Sequence, residues 1–294
     1  MNKLRLVIVV SPDSSDQFFA NQLIDRFNVV GVVIENQQED RDNTPTLIKA
    51  LKLLAQPSVF IKKTHDVLIG RYLRKNAIYN RPENSADFGP LGKCLITKGN
   101  YQKLYTKGVN EINAPNQVAW LKQMKPDIMA VCGASLMKKH VISIPKMGVL
   151  NLHGGLSQHY RGLFTTDWAI YNERPECIGA TVHYISPGID DGDILYQTRP
   201  NIEPNDNPNS LYVKIVHQGI DMMEQAIRDI LAGTAKASPL IEKGDLCLGR
   251  MFTPRIKRIT WEKVQRGVIT DYLKNKSDRD KVILAGMINP YEKE

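Results

Sequence analysis

Apolar runs at residues 4–10 and 29–35 flank a stretch at 15–27 whose apolar positions recur at helical spacing. Strand, helix and strand in such close succession form a βαβ unit, which predicts a parallel sheet. Helical spacing returns at 44–55 and 66–76. From 78 to 105 the pattern is irregular, broken by Pro82, Pro90 and several glycines, and reads as an insertion or an excursion from the sheet. Regular patterning resumes at Asn113. It predicts a helix over 115–124, a strand over 127–132, a short helix around 136–142 and a strand over 149–153. A helix over 163–172, strands over 180–185 and 194–198, and a long helix over 210–231 that stops at Gly233 follow. Beyond it come turn signals, the basic run Arg255-Ile256-Lys257-Arg258 and a helix centred on Trp261 that extends to about 274. The expected organisation is an α/β domain over 1–233, with a mostly parallel sheet and flanking helices, and a small C-terminal extension over 234–294.

Charge changes the picture in one region. The chain of 294 residues carries a net charge of +8. Between 60 and 110, ten bases (Lys62, Lys63, Arg71, Arg74, Lys75, Arg81, Lys93, Lys98, Lys103, Lys107) face three acids, Asp66, Glu83 and Asp87. Tyr72, Tyr79, Tyr101 and Tyr105 are interleaved with them. Such a basic insertion suits an anionic partner, a nucleotide sugar, a tRNA or a phosphate-bearing metabolite; a solvated helix face with its loop is the alternative. No stretch reaches the roughly twenty apolar residues of a membrane span. The run at 4–10 is too short for a signal-peptide core, so a cytoplasmic protein is expected. Cys94, Cys132, Cys177 and Cys247 are scattered without a CxxC pair and read as reduced thiols.

The densest chemistry lies at Asn151-Leu152-His153. Period two puts the amide and the imidazole on one face at the end of a buried strand. About forty residues on, Gly188-Ile189-Asp190-Asp191-Gly192-Asp193 supplies carboxylates. A neutral donor, a titratable ring and a carboxylate are the parts needed for attack on a carbonyl. Asp190 is favoured by register, with Asp191 a turn residue and Asp193 an exposed acid. His183, in Val182-His183-Tyr184, reads as structural. His153, His159 and His183 lack a partner carboxylate at metal-ligand spacing, so no metal is expected. At the first turn Ser11-Pro12-Asp13-Ser14-Ser15 replaces GxGxxG, which argues against dinucleotide binding.

Five motifs carry a resemblance: Asp127-Ile128-Met129-Ala130-Val131-Cys132-Gly133, Gly148-Val149-Leu150-Asn151-Leu152-His153-Gly154, Tyr160-Arg161-Gly162, Gly179-Ala180-Thr181-Val182-His183 and Ile189-Asp190-Asp191-Gly192-Asp193-Ile194-Leu195. In this order the chain resembles the folate-dependent formyltransferases, a family that includes glycinamide ribonucleotide transformylase, methionyl-tRNA formyltransferase and the sugar N-formyltransferases. The likeness covers residues 110–232 well and 4–35 more loosely. It implies a Rossmann-like catalytic domain and 10-formyltetrahydrofolate as formyl donor. It makes Asn151, His153 and Asp190 the catalytic trio: the Asn151 amide and a protonated His153 hold the oxyanion, and Asp190 pairs with His153 and helps relay the amine's proton. The resemblance also places Gly133, Leu136, Met137, Lys138, Gly188 and Ile189 at the folate, although Leu136 and Met137 also suit a helix core. Tyr160, Arg161 and Gly162 would shape the acceptor side, with Arg161 on an anionic group or in a surface salt bridge.

Departures bear on the acceptor. After His153 the chain has Gly154-Gly155-Leu156-Ser157-Gln158, where many members have Pro-Ser or Asn-Ser followed by Leu-Leu-Pro. The tRNA enzyme carries a C-terminal barrel of roughly a hundred residues, and the region after Gly233 shows no run of alternating strands to build one. The expected acceptor is therefore the primary amine of a nucleotide-linked amino sugar, a small-molecule anion. A methionyl-tRNA formyltransferase-like enzyme, a formyltetrahydrofolate hydrolase and a non-catalytic ligand- or RNA-binding relative are the alternatives. Met251, Phe252, Ile256, Ile259 and Trp261 offer a homodimer surface or, equally, a cover for the sheet.

Overall fold

The computed structural model describes residues 4–36, 58, 61 and 77–292. The helices expected at 44–55 and 66–76 lie outside them, as do Lys62, Lys63, Arg71, Tyr72, Arg74 and Lys75 of the basic segment.

The chain opens with β1 (Leu6–Val10), α1 (Ser14–Arg26) and β2 (Val29–Glu35). Further along come β3 (Gln102–Thr106), α2 (Pro115–Met124), β4 (Ile128–Cys132), α3 (Lys139–Ile142) and β5 (Val149–His153). Then follow β6 (Tyr160–Gly162), α4 (Thr165–Tyr171), β7 (Ala180–Tyr184), β8 (Ile194–Thr198) and α5 (Pro208–Ala232). The chain finishes with β9 (Asp245–Cys247), α6 (Pro254–Gln265), α7 (Val268–Lys274) and α8 (Lys276–Ala285).

Among the described residues, seven strands form one sheet in the order β3-β2-β1-β4-β5-β7-β8. The first five are parallel; β7 and β8 are antiparallel to their neighbours. Both faces of β1 and β4 are covered, which is why these strands read as continuous apolar runs. Leu6, Ile8 and Val10 join Phe18, Phe19 and Leu23 of α1 and Met222 and Met223 of α5 in one core. Val7 and Val9 face the other way, toward Leu121 and Met124 of α2 and Val141 of α3. The helix α5 begins with an Asn207–Ser210 capping box and Pro208, and ends at Gly233 in the left-handed conformation, φ 72°.

Among the described residues, four elements escaped the sequence pattern, β3, β6, β9 and α8. Gln102–Thr106, inside the stretch read as an insertion or excursion, is the parallel edge strand β3, paired with β2 from Gly31↔Gln102 to Glu35↔Thr106. Three of its five side chains are exposed, so the alternation that marks a half-buried strand is missing. The helix expected through 274 is two helices, broken at Gly267 with φ 94°.

Residues beyond Gly233 pack onto the main domain. Ser238 exchanges backbone hydrogen bonds with Ile194, β9 pairs with β6, and Ile269, Tyr272 and Ile283 join the α1/α5 core cluster. Arg199 of the main domain pairs with Asp280 at 2.7 Å. Of the tail's apolar residues, Trp261 is buried against Tyr79, whereas Met251 is exposed. Among the described residues no helix is long and apolar enough to cross a membrane.

Candidate active site

Val149, Asn151 and His153 point to one face of β5. Val149 is in the α2/α3 core, and the two polar residues continue that face toward the carboxyl end, beside the parallel-to-antiparallel switch in the sheet. Open α/β sheets bind ligands outside the carboxyl ends of their strands. Asp190 reaches this face from the loop between β7 and β8, with its backbone in the left-handed region, φ 47°. Its Oδ2 lies 3.2 Å from His153 Nδ1 and accepts the Gly162 N–H at 2.8 Å. Its Oδ1 accepts from Asn151 Nδ2 at 3.2 Å. The three residues expected to act together converge on one carboxylate.

The ladder between β5 and β7 adds a fourth group. His183 sits directly opposite Asn151, with Nε2 3.2 Å from Asn151 Nδ2 and 3.5 Å from Asp190 Oδ1. Its Nδ1 lies 2.8 Å from the Tyr184 carbonyl and so carries a hydrogen. Its Nε2 lies against both the Asn151 amide and the Asp190 carboxylate and helps fix their positions. The reverse amide orientation would set two oxygens, on Asn151 and Asp190, against each other. His183, read as structural, thus belongs to the site. The signal was the shared period-two face, invisible until the strand register is known.

His153 is buried, and both ring nitrogens face acceptors: Asp190 Oδ2 on one side and the Tyr160 carbonyl, 2.9 Å from Nε2, on the other. A ring protonated at both nitrogens satisfies both. Gly155 makes this approach possible, because a Cβ there would lie 2.7 Å from His153 Nε2 and 2.9 Å from the Tyr160 oxygen. Burial pushes the Asp190 carboxyl up, but His153, His183 and the Gly162 N–H outweigh it and hold the group well below the usual carboxylate range.

The Tyr160-Arg161-Gly162 strand holds the site's loop. Arg161 donates Nε to the Gly244 carbonyl at 3.0 Å and Nη1 to the Ile189 carbonyl at 3.1 Å. Its guanidinium therefore bridges the C-terminal extension and the residue before Asp190, rather than standing in a surface salt bridge. Lys243 pairs with Asp191 at 2.8 Å, adding a second tie to the same loop. Tyr160 is buried and contributes its main-chain oxygen.

The loop after β4 runs beside the trio, since Val131 pairs with Asn151. Buried Glu35 accepts the Ser135 N–H and hydroxyl, each at 2.6 Å. Asn113 donates to the Leu136 carbonyl at 2.9 Å and accepts from the Lys138 N–H at 2.7 Å. Leu136 and Lys138 are exposed, whereas Met137 is buried in the α2/α3 core, the packing alternative to the folate contact expected for it. Gly133, φ 67°, has another constraint: a Cβ would lie 1.8 Å from Asp16 Oδ2. Asp16 is buried with hydrogen bonds from Ser11 and Ser15 at 2.7 and 3.0 Å, and burial pushes its carboxyl up to about 6. Gly188 is exposed and leaves room for the Asp191 side chain. Among the described residues no group of three or more His, Cys, Asp or Glu is placed to hold a metal ion.

Residues 97–227 match the family described as formyl transferase. The methionyl-tRNA formyltransferase of Chlorobium chlorochromatii (strain CaD3) is 30% identical over 156 residues, 53% of this chain and 49% of that protein. The matched segment thus spans about half the length of this relative. A sugar N-formyltransferase from Shewanella superimposes with a TM-score of 0.53 at 15% identity, covering 89% of this chain and 87% of the other. Phosphoribosylglycinamide formyltransferase from Anaplasma phagocytophilum gives 0.51 at 15% identity, covering 84% of this chain and all (100%) of the other. Residues 97–227 are thus a formyl transferase domain, set in a chain whose fold is that of the formyltransferases.

Proposed function

We propose that the chain is an N-formyltransferase that moves the formyl group of 10-formyltetrahydrofolate to a primary amine, carried by a nucleotide-linked amino sugar. The observation behind it is the convergence of Asn151, His153 and His183 on Asp190 at the end of β5. The exposed Leu136 and the pinned backbone at 135–138 suit a flat heterocycle. The formyl group supplies the electrophilic carbon. A new C–N bond forms to the amine, the bond from that carbon to the folate nitrogen breaks, and the proton lost by the amine goes to the leaving nitrogen. Asn151 and His153 turn hydrogens now given to Asp190 and the Tyr160 carbonyl toward the formyl oxygen as its charge grows. Asp190 stays ionised, balances His153 and takes part in moving the amine's proton. Free thiols at Cys94, Cys132, Cys177 and Cys247 suit a reducing, cytoplasmic setting.

Residues 234–292 lie against the main domain as three α-helices, one 3-10 turn and one short strand, which suits a compact acceptor. The second reading, a tRNA acceptor, is supported by the methionyl-tRNA enzymes among the sequence relatives. Tetrahydrofolate release from 10-formyltetrahydrofolate, measured with a panel of nucleotide amino sugars and with aminoacylated tRNA, separates the two. Release that requires a sugar and disappears in His153→Ala supports the proposal. Release only with tRNA replaces the acceptor, and acceptor-free release makes the protein a hydrolase.

A further inference from the structure

Residues 249–258 carry four cations, Arg250, Arg255, Lys257 and Arg258, and no acid. The catalytic trio makes no use of them. Phe252 sits among them and stacks on Phe164, with ring centroids 4.5 Å apart and planes inclined by 21°. Trp168 meets Phe252 edge-on at 5.9 Å. Phe164 is held at φ 58°, a conformation that a bulky side chain rarely adopts, and is 49% exposed. Beside it Leu163 is 57% and Met251 43% exposed. A ring held like Phe164, in a strained backbone and half in water, adds little to the core, and such strain gathers where ligands are clamped.

The patch adjoins the reaction centre. Phe164 follows by two residues Gly162, whose N–H binds Asp190. The extension lies against the same strand: a Cβ on Gly249 would come within 3.3 Å of Leu163. The Arg250 and Arg255 side chains make no hydrogen bond or ion pair among the described residues. Lys257 is over the Tyr79 ring at 4.7 Å, and Arg258 pairs with Glu262. An aromatic pair with two uncommitted arginines two and three residues from Phe252 in sequence matches a ligand that is itself aromatic and phosphorylated.

We infer that Phe164 and Phe252, with Arg250 and Arg255, seat the nucleoside diphosphate part of the acceptor. The base stacks on the aromatic pair and the phosphates meet the arginines. This inference rests on the nucleotide-sugar reading above. It gives the C-terminal extension a share in acceptor choice.

The test is calorimetric titration of the full chain with UDP, dTDP and inorganic pyrophosphate, with and without tetrahydrofolate. Phe252→Leu keeps an apolar side chain and removes the ring. It should weaken both nucleotides about tenfold and leave pyrophosphate unchanged. The double variant Arg250→Gln/Arg255→Gln should weaken all three and flatten their salt dependence. Equal nucleotide affinity in wild type and Phe252→Leu overturns the seat, as does a wild type that binds tRNA but neither nucleotide. If nucleotides bind as expected yet no nucleotide-linked amine is formylated, the seat stands and the transfer reading falls. If such an amine is formylated with the same KM in Phe252→Leu, transfer stands and the seat falls.

Discussion

Replacing Asp190 by Asn tests the centre of the mechanism, because one substitution removes the charge on which three side chains converge. The amide keeps the shape and one acceptor oxygen, so the Gly162 N–H can still be bound. The attraction to a charged His153 is lost. Across 3.2 Å, at an effective dielectric constant of ~20, that attraction is about 5 kcal/mol. Delocalisation over both groups and the cost of burying the pair reduce the expected net loss to about 3 kcal/mol, roughly a hundredfold in rate. The assay is single-turnover tetrahydrofolate release at saturating donor and acceptor, with circular dichroism confirming the fold. The loss should lie in kcat, since the group acts as charge develops. A kcat within about threefold of wild type, or a loss confined to KM, would refute the reasoning. The pH dependence of stability gives a second check. The depressed carboxyl contributes stability above its unfolded value of 3.8, and this is lost as pH falls through the lower folded value. Asp190→Asn should weaken that acid limb.

Asp16 has the opposite sign. Its carboxyl rises from 3.8 to about 6 on folding, so the native state binds the extra proton and stability falls by about 3 kcal/mol as pH rises through that window. Urea denaturation at pH 4, 5, 6 and 7.5 should show this slope in wild type and lose it in Asp16→Asn; an unchanged slope sinks the assignment. Arg161→Met and Lys243→Met should each lower kcat roughly ten- to a hundredfold by releasing the Asp190 loop. Their KM for an anionic acceptor should stay as in wild type; if KM alone rises, Arg161 binds substrate instead. Gly155→Ala should break the hydrogen bond from His153 to the Tyr160 carbonyl, because its Cβ would sit within 2.9 Å of both atoms. Loss of activity in a folded protein is expected, and wild-type turnover would count against that hydrogen bond's role.

The parallel sheet was legible because its central strands are covered on both faces and so carry unbroken apolar runs. Asn151 and His153 stood out for a related reason: they are polar positions on a face that Val149 shows to be buried. β3 did not stand out. An edge strand is satisfied by backbone pairing on one side, and Lys103 and Tyr105 can face water. The Trp261 region was read as helical, but Gly267 split it in two, and helical spacing alone does not locate such a break.

Residue type and local period singled out the side chains expected to do acyl chemistry, since both act over a few neighbouring positions. Tertiary structure decided who meets whom. His183 joined the site only through its place opposite Asn151. Arg161 was committed to Ile189 and Gly244 only once β6 lay beside β9. The Tyr160 carbonyl beside His153 could not have been read at all, because a main-chain oxygen is common to every residue. Its role comes from where the fold places it and from the missing side chain of Gly155. Local pattern records what a residue is; strand register and loop packing, which join positions far apart in the chain, determine what it faces.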